Sequence, residues 1–273
     1  MTSVPGLEVF GKSRGEYTLP CGAVIGGVVH KDVILRELTG VEEDLLDDIN
    51  ISVTERISNV LTACIEKLGT IEDKALIKAA VSDTLGDKGL PLTAADRIAA
   101  LLFLRRVSLG DIYRFESKCT DCGHVNKNRH VDLRELEIKS MPDATKRRVE
   151  VTLPRSGKKA VMKVVCAGGE NKVAKLKPTQ KDLKTYAILA RLESFDGKLI
   201  GDTQADVDLI KKLPHADRSE LINVYQIMEG NVDTMVQLTC KKCGSEYETP
   251  IDFGSFFFTG QTEKLAQSEL KWV

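Results

Sequence analysis

The chain has 273 residues, 42% of them hydrophobic and 29% charged, with a formal net charge of −1. This is ordinary globular composition, which argues against a disordered or fibrous chain, and near-neutrality gives the molecule as a whole no pull toward nucleic acid or membrane. The length suffices for a substantial core in about one to three domains.

Charge is nevertheless unevenly placed. Residues 139–184 carry 13 basic against 4 acidic side chains, whereas residues 1–99 carry 10 against 16. Solvated faces and partner-binding surfaces account for that asymmetry equally well. No apolar leader runs from Met1 to Arg14, and the longest apolar run, 99–104, is far short of the roughly 20 residues of a membrane span. With seven cysteines and no export signal, the cytoplasm is the expected compartment; there, C-x2-C pairs are more often metal ligands than disulfides.

In chain order, the first forty residues read as β-structure. Tyr17–Leu19 and Val33–Leu35 are β-prone runs, with a turn expected at Pro20-Cys21-Gly22. Thr39-Gly-Val-Glu42 has the form of a capping box, opening a helix to Asp48. From Thr54, apolar residues at Ile57, Val60, Leu61, Cys64, Ile65 and Leu68 predict one helix stopped by Gly69. A helix over 74–85 follows, then another opened by Thr93-Ala-Ala-Asp96 and closed by Gly110. A strand over 111–116 leads into Cys119, and 125–133 reads as its return.

Beyond it, 148–153 and 160–165 flank Ser156-Gly157 as a β-hairpin. Thr179-x-x-Asp182 caps a helix containing Leu183, Tyr186, Leu189 and Phe195. A further helix runs from Asp217 to Gly230, and Val236–Leu238 is a strand entering Cys240. No internal repeat is visible apart from the paired cysteine knuckles.

Those knuckles, Cys119-Thr-Asp-Cys122-Gly and Cys240-Lys-Lys-Cys243-Gly, carry the most chemistry. Four thiolates can surround one metal ion tetrahedrally, and a site closed by four of them leaves no open position for substrate. Gly123 and Gly244 supply the backbone freedom that such turns need. Lys118, Lys241 and Lys242 offset the negative charge. One structural Zn2+ is the expected cofactor, held by Cys119, Cys122, Cys240 and Cys243; iron binds such sites too. Redox dithiols and degenerate, metal-free knuckles are the alternatives; strands rather than helices after each knuckle weigh against the first. The interval 123–239 is far longer than the roughly 15–20 residues of an ordinary zinc ribbon, so a folded module is expected between its halves. Cys21, Cys64 and Cys166 read as buried small hydrophobes, and His124 and His130 are not needed as ligands.

Searches for phosphate loops, dinucleotide fingerprints, nucleophile elbows and zinc-protease motifs find nothing, and no catalytic residue is assigned. Lys146, Arg147, Arg148, Lys158 and Lys159 form a dense basic group, but few aromatics accompany them for stacking on bases. A nucleic-acid-binding zinc protein is therefore the rival reading, and an enzyme trails both.

Several segments in order resemble the baseplate hub proteins of contractile-tailed bacteriophages and their relatives in contractile injection particles. These are Val33–Gly40 with the acids after it, Asp96-Arg97 leading to Leu101–Arg105, Leu109–Phe115, and Cys119-x-x-Cys122-Gly with Asp132-Leu133. Cys240-x-x-Cys243-Gly with Pro250-Ile-Asp and Phe253–Phe258 completes the set. The resemblance implies a structural or assembly role in a tail baseplate through contacts with other tail proteins. Either a resident part or a transient assembly chaperone fits, made in the host cytoplasm. It also allows a homo-oligomer within a symmetric assembly. Phe256, Phe257 and Phe258 are candidate partner contacts, with cover for the ribbon core as the equal alternative; three consecutive rings cannot all face inward from a strand, so at least one seeks another surface, a partner's or the chain's own helices. The basic group is a second candidate surface. The expected architecture is α+β. It comprises an N-terminal β/helical region (1–110), a discontinuous four-cysteine zinc ribbon (111–133 and 233–260), an inserted basic hairpin-and-helix module (134–232) and a tail (261–273).

Overall fold

The computed structural model describes residues 14–251, which form an α+β architecture. Strands β1 (Arg14–Ile25) and β2 (Val28–Arg36) make an antiparallel hairpin. The chain reverses at Gly26-Gly27, whose φ angles of 60° and 79° suit the tight two-residue turn that matches strand twist. The turn expected at Pro20–Gly22 is instead a bulge inside β1, where pairing jumps from Thr18↔Asp32 to Ala23↔His30. Helix α1 (Gly40–Asp47) starts at the expected Thr39–Glu42 capping box. Burial alone would raise the Glu42 carboxyl, but Arg36, 2.6 Å away, and Thr39 hold its pKa at about 2.

Helix α2 (Val53–Cys64) is shorter than its apolar spacing predicts, because Ile65–Leu68 leave it as strand β3 along the free edge of β2. Glu66 is an extra residue in that ladder, which breaks strict alternation and lets Ile65 and Leu68 both reach the core. A three-residue apolar spacing therefore reads as helix. Helix α3 (Lys74–Val81) ends four residues before the expected Leu85, and β4 (Gly89–Leu90) completes a sheet of order β3-β2-β1-β4. Helix α4 (Ala94–Leu109) opens and closes as predicted and is enclosed over residues 99–105.

Strands β5 (Ile112–Lys118) and β6 (Val125–Asp132) flank the first knuckle. After β7 (Ile138–Lys139) come the expected hairpin strands β8 (Arg148–Thr152) and β9 (Lys159–Lys163), then α5 (Ala167–Ala174) and α6 (Leu183–Arg191). Phe195, predicted on that helix, lies on β10 (Leu192–Phe195), again past an extra residue, Glu193. With β11 (Lys198–Leu199) the second sheet has the order β11-β10-β9-β8. Helices α7 (Gln204–Lys212) and α8 (His215–Met228) precede β12 (Asn231–Val232), which pairs with β7. Strands β13 (Met235–Thr239) and β14 (Glu246–Pro250) flank the second knuckle.

The structure overturns the expectation of no internal repeat. Residues 14–132 and 148–250 run through the same series: hairpin, two helices, a strand beside the second hairpin strand, two helices, and a strand–knuckle–strand. Arg14-Gly-Glu-Tyr-Thr-Leu-Pro20 aligns with Arg148-Val-Glu-Val-Thr-Leu-Pro154, and Ala95-Asp96-Arg97 with Ala216-Asp217-Arg218. The contacts repeat as well. Arg14 pairs with Glu66 as Arg148 does with Glu193. Gly69 N–H donates to the Asp32 carbonyl and Asp196 N–H to that of Lys159, with φ of 58° and 52°. The knuckles thus stand at the end of each repeat.

Asp96 and Asp217 do the same work in each copy. The Asp96 carboxylate accepts from Cys21 and Gly22 N–H at 2.7 and 2.9 Å, and from Thr93 N–H and hydroxyl at 2.9 Å. Asp217 accepts from Arg155 and Ser156 N–H at 2.7 and 3.2 Å. The next residue reaches back to the second helix of its repeat, Arg97 to Ser58 and Arg218 to Thr185. Asp96→Asn turns an amide N–H toward N–H donors and should cost roughly 3 kcal/mol. Asp217→Asn, with fewer donors, should cost about half that, read as shifts in urea midpoint. Equal, negligible effects would remove the carboxylates from this role.

Candidate metal centre

Each knuckle is a tight turn closed by its own backbone. Cys119 N–H donates to the His124 carbonyl at 2.9 Å and Gly123 N–H to the Cys119 carbonyl at 3.1 Å; Cys240 to Ser245 and Gly244 to Cys240 repeat this at 2.9 and 3.0 Å. Gly123 and Gly244 adopt φ of 68° and 77°, the left-handed region that the turn demands. Both pairs of thiols are thereby presented from hairpin tips.

The structure brings the four thiols together. Cys119 Sγ lies 3.8 Å from Cys243 Sγ, Cys122 Sγ lies 3.7 Å from Cys240 Sγ, and all four sulfurs lie within 4.8 Å of one another. Tetrahedral coordination with metal–sulfur bonds of about 2.3 Å requires sulfur–sulfur edges of about 3.8 Å. A disulfide would need about 2.05 Å. The quartet therefore has the size and donor chemistry for one soft or borderline cation, with two sulfurs on buried residues and two on exposed ones.

Electrostatics point the same way. Backbone N–H groups of Cys243 and then Lys242, with Asn126, lower the Cys240 thiol to about 6. His124 N–H alone would lower Cys122, but the crowded sulfurs, Cys243 foremost, push it up to about 12. Four thiolates so close cannot all ionise without a compensating cation.

Three residues that sequence reasoning missed bind the ribbon halves to each other. Buried Asn126 accepts from Lys241 N–H at 2.9 Å through Oδ1 and donates to Tyr247 Oη at 3.0 Å; its Nδ2 also lies 3.7 Å from Cys240 Sγ. Tyr247 Oη lies 2.6 Å from Ser117 Oγ. Nothing in spacing signals such a contact, because its partners are more than a hundred residues apart.

The other predicted site residues scatter. Arg147 is turned inward, donating to the Gly22 and Ala144 carbonyls at 2.7 Å, so it is not a surface contact. Lys146, Arg148, Lys158 and Lys159 are each ion-paired within the chain, to Asp143, Glu193, Asp196 and Glu150. Phe256, Phe257 and Phe258 lie outside the described residues. Cys21 and Cys64 are fully buried; Cys166 is half-buried, and burial pushes the Cys64 and Cys166 thiols up to about 12. Among the described residues no helix is long and apolar enough to cross a membrane.

A family model described as T4 bacteriophage base plate protein matches residues 35–258, most of the chain and both knuckles. The chain belongs to that family. No curated protein and no solved structure matches it. In this base plate family member, the matched span opens in β2 and runs through both repeats, so the quartet is formed entirely by residues inside it.

Asn126→Leu in this base plate protein should weaken metal binding at the quartet roughly 10–100-fold. Titration with cobalt(II), followed by its thiolate charge-transfer absorption, checks this. Unchanged affinity would show that Asn126 merely fills space.

Proposed function

We propose that this chain is a non-enzymatic, zinc-stapled building or assembly component of the hub of a contractile tail baseplate. It acts through contacts with other tail proteins and is assembled in the host cytoplasm. The family match carries the tail assignment. The sulfur quartet supports the mechanism: a closed four-thiolate site polarises no substrate, and its contribution is to lock chain segments together. Cys119, Cys122, Cys240 and Cys243 would hold the ion. Metal binding energy at such a site is folding energy, so the two repeats become one rigid body suited to a fixed place in an assembly. The intrachain pairing of the basic group favours protein contacts over a cationic groove tracking a nucleic-acid backbone.

Elemental analysis of purified protein should give one zinc per chain, and a strong chelator should lower its melting temperature. Cys119→Ser with Cys240→Ser should abolish the zinc and lower the melting temperature without chelator. Less than half a zinc per chain, with no iron in its place, would remove the staple.

The tail assignment is tested separately, by mass spectrometry of purified particles, assembly intermediates and whole lysate. We expect enrichment in particles or in intermediates, the latter marking a transient assembly factor. Absence from both, with the protein present in lysate, overturns the assignment.

A further inference from the structure

The junction between the two repeats has a counterpart with nothing on it among the described residues. Within the chain, α5 of the second repeat is seated on the first. Glu170 pairs with Arg97 at 3.2 Å, Gly168 N–H donates to Asp83 at 2.9 Å, and Ala94 N–H donates to the Val165 carbonyl at 2.8 Å. Arg97 is fully buried beneath this contact. By the repeat, α1 corresponds to α5, placing Glu43 where Glu170 stands and Val41 where Gly168 stands. Arg218 likewise takes the place of Arg97, and Leu213 follows α7 directly, as Ser82 and Asp83 follow α3.

Among the described residues, each half of that junction recurs without a partner seated on it. Val41 is 67% exposed and Glu43 is exposed, whereas Leu213 and Arg218 are half-buried with no described residue seated over them as α5 is over Arg97. Their chemistry matches. Where the internal junction has an N–H on a carboxylate, Val41 and Leu213 offer two aliphatic groups; where it has Glu170 on Arg97, they leave Glu43 for Arg218. Around α1 the charge is acidic, with Glu43, Asp44, Asp47 and Asp48, and around α6 and α7 Lys181, Lys184 and Lys212 are exposed.

We propose that this chain associates head-to-tail with a second copy of itself, α1 of one copy seated against the Leu213–Arg218 end of the next. The contact repeats the internal junction and pairs Glu43 with Arg218 across the interface. It is heterologous, so it leaves a free face at each end and builds a ring or an open row rather than a closed dimer. The proposal deepens the building role above but does not need the metal: zinc content and presence in particles can hold while association fails, and the reverse.

Sedimentation velocity of the full-length protein over a wide concentration range tests it. The wild type should form dimers and larger species, and added salt should weaken them. Glu43→Arg and Arg218→Glu should each raise the dissociation constant about tenfold or more by placing like charges together. An equimolar mixture of the two variants should associate again, because the Glu43 that one variant keeps meets the Arg218 that the other keeps. Unchanged circular dichroism and metal content keep these readings free of misfolding. A wild type monomeric at every concentration, or association indifferent to both substitutions, overturns the proposal.

Discussion

A carboxylate at the start of a helix, holding two backbone N–H groups from the distant hairpin of its repeat, is the constraint on which each half of this protein is built. Asp96 is fully buried, and a buried carboxylate is costly unless donors replace its lost water. Four donors do so, and two of them, from Cys21 and Gly22, are free only because β1 bulges there. The bulge in turn offers the Pro20 carbonyl to Met141 and the Gly22 carbonyl to Arg147, which hold the segment leading into the second repeat against the first. Arg97, one residue on, donates to Ser58 and to the Thr54 and Val81 carbonyls. Burial lowers its pKa from the ordinary arginine range, and Glu170 works against that. One dipeptide thus fixes a sheet, three helices and a junction.

The sulfur quartet follows from the repeat. Each repeat ends in half a ribbon with two thiols, and half a ribbon cannot close a tetrahedral site. Closure needs the other copy, so an ion bound there would report that both repeats have folded and docked. Asn126, Ser117 and Tyr247 add hydrogen bonds across the same seam. The long interval between knuckles adds little entropic penalty, because it is folded structure already held against the first repeat.

Much of this is legible in residue order, and the failures share a cause. Capping boxes at Thr39 and Thr93, the knuckles and the 148–163 hairpin are local signals, set by neighbours within a few residues, and they appear in the fold where the sequence places them. Ile65–Leu68 and Leu192–Phe195 read as helix because an inserted glutamate in each strand mimics helical spacing. The repeat is hard to see in residue order because its copies differ in loop length before and after each matching block. Only two short similar strings and the knuckles remain as signals. Asn126 and Tyr247 cannot be found at all without knowing that the ribbon halves meet.

The two copies have also diverged in a direction that physics explains. Helix α4 is covered over residues 99–105, and its Leu102 and Phe103 are buried. At the corresponding positions α8 carries Asn223, which is exposed, and Val224, which is half-buried. Part of what covers α4 comes from the second repeat, including β12 and α5, and among the described residues no further unit covers α8 in the same way. A repeated unit at the end of an array must make its outer face compatible with water or with a partner. Charge is consistent with that demand: acids gather on α1, and exposed Lys181, Lys184 and Lys212 stand near α6 and α7, where the internal junction has no described neighbour within the chain.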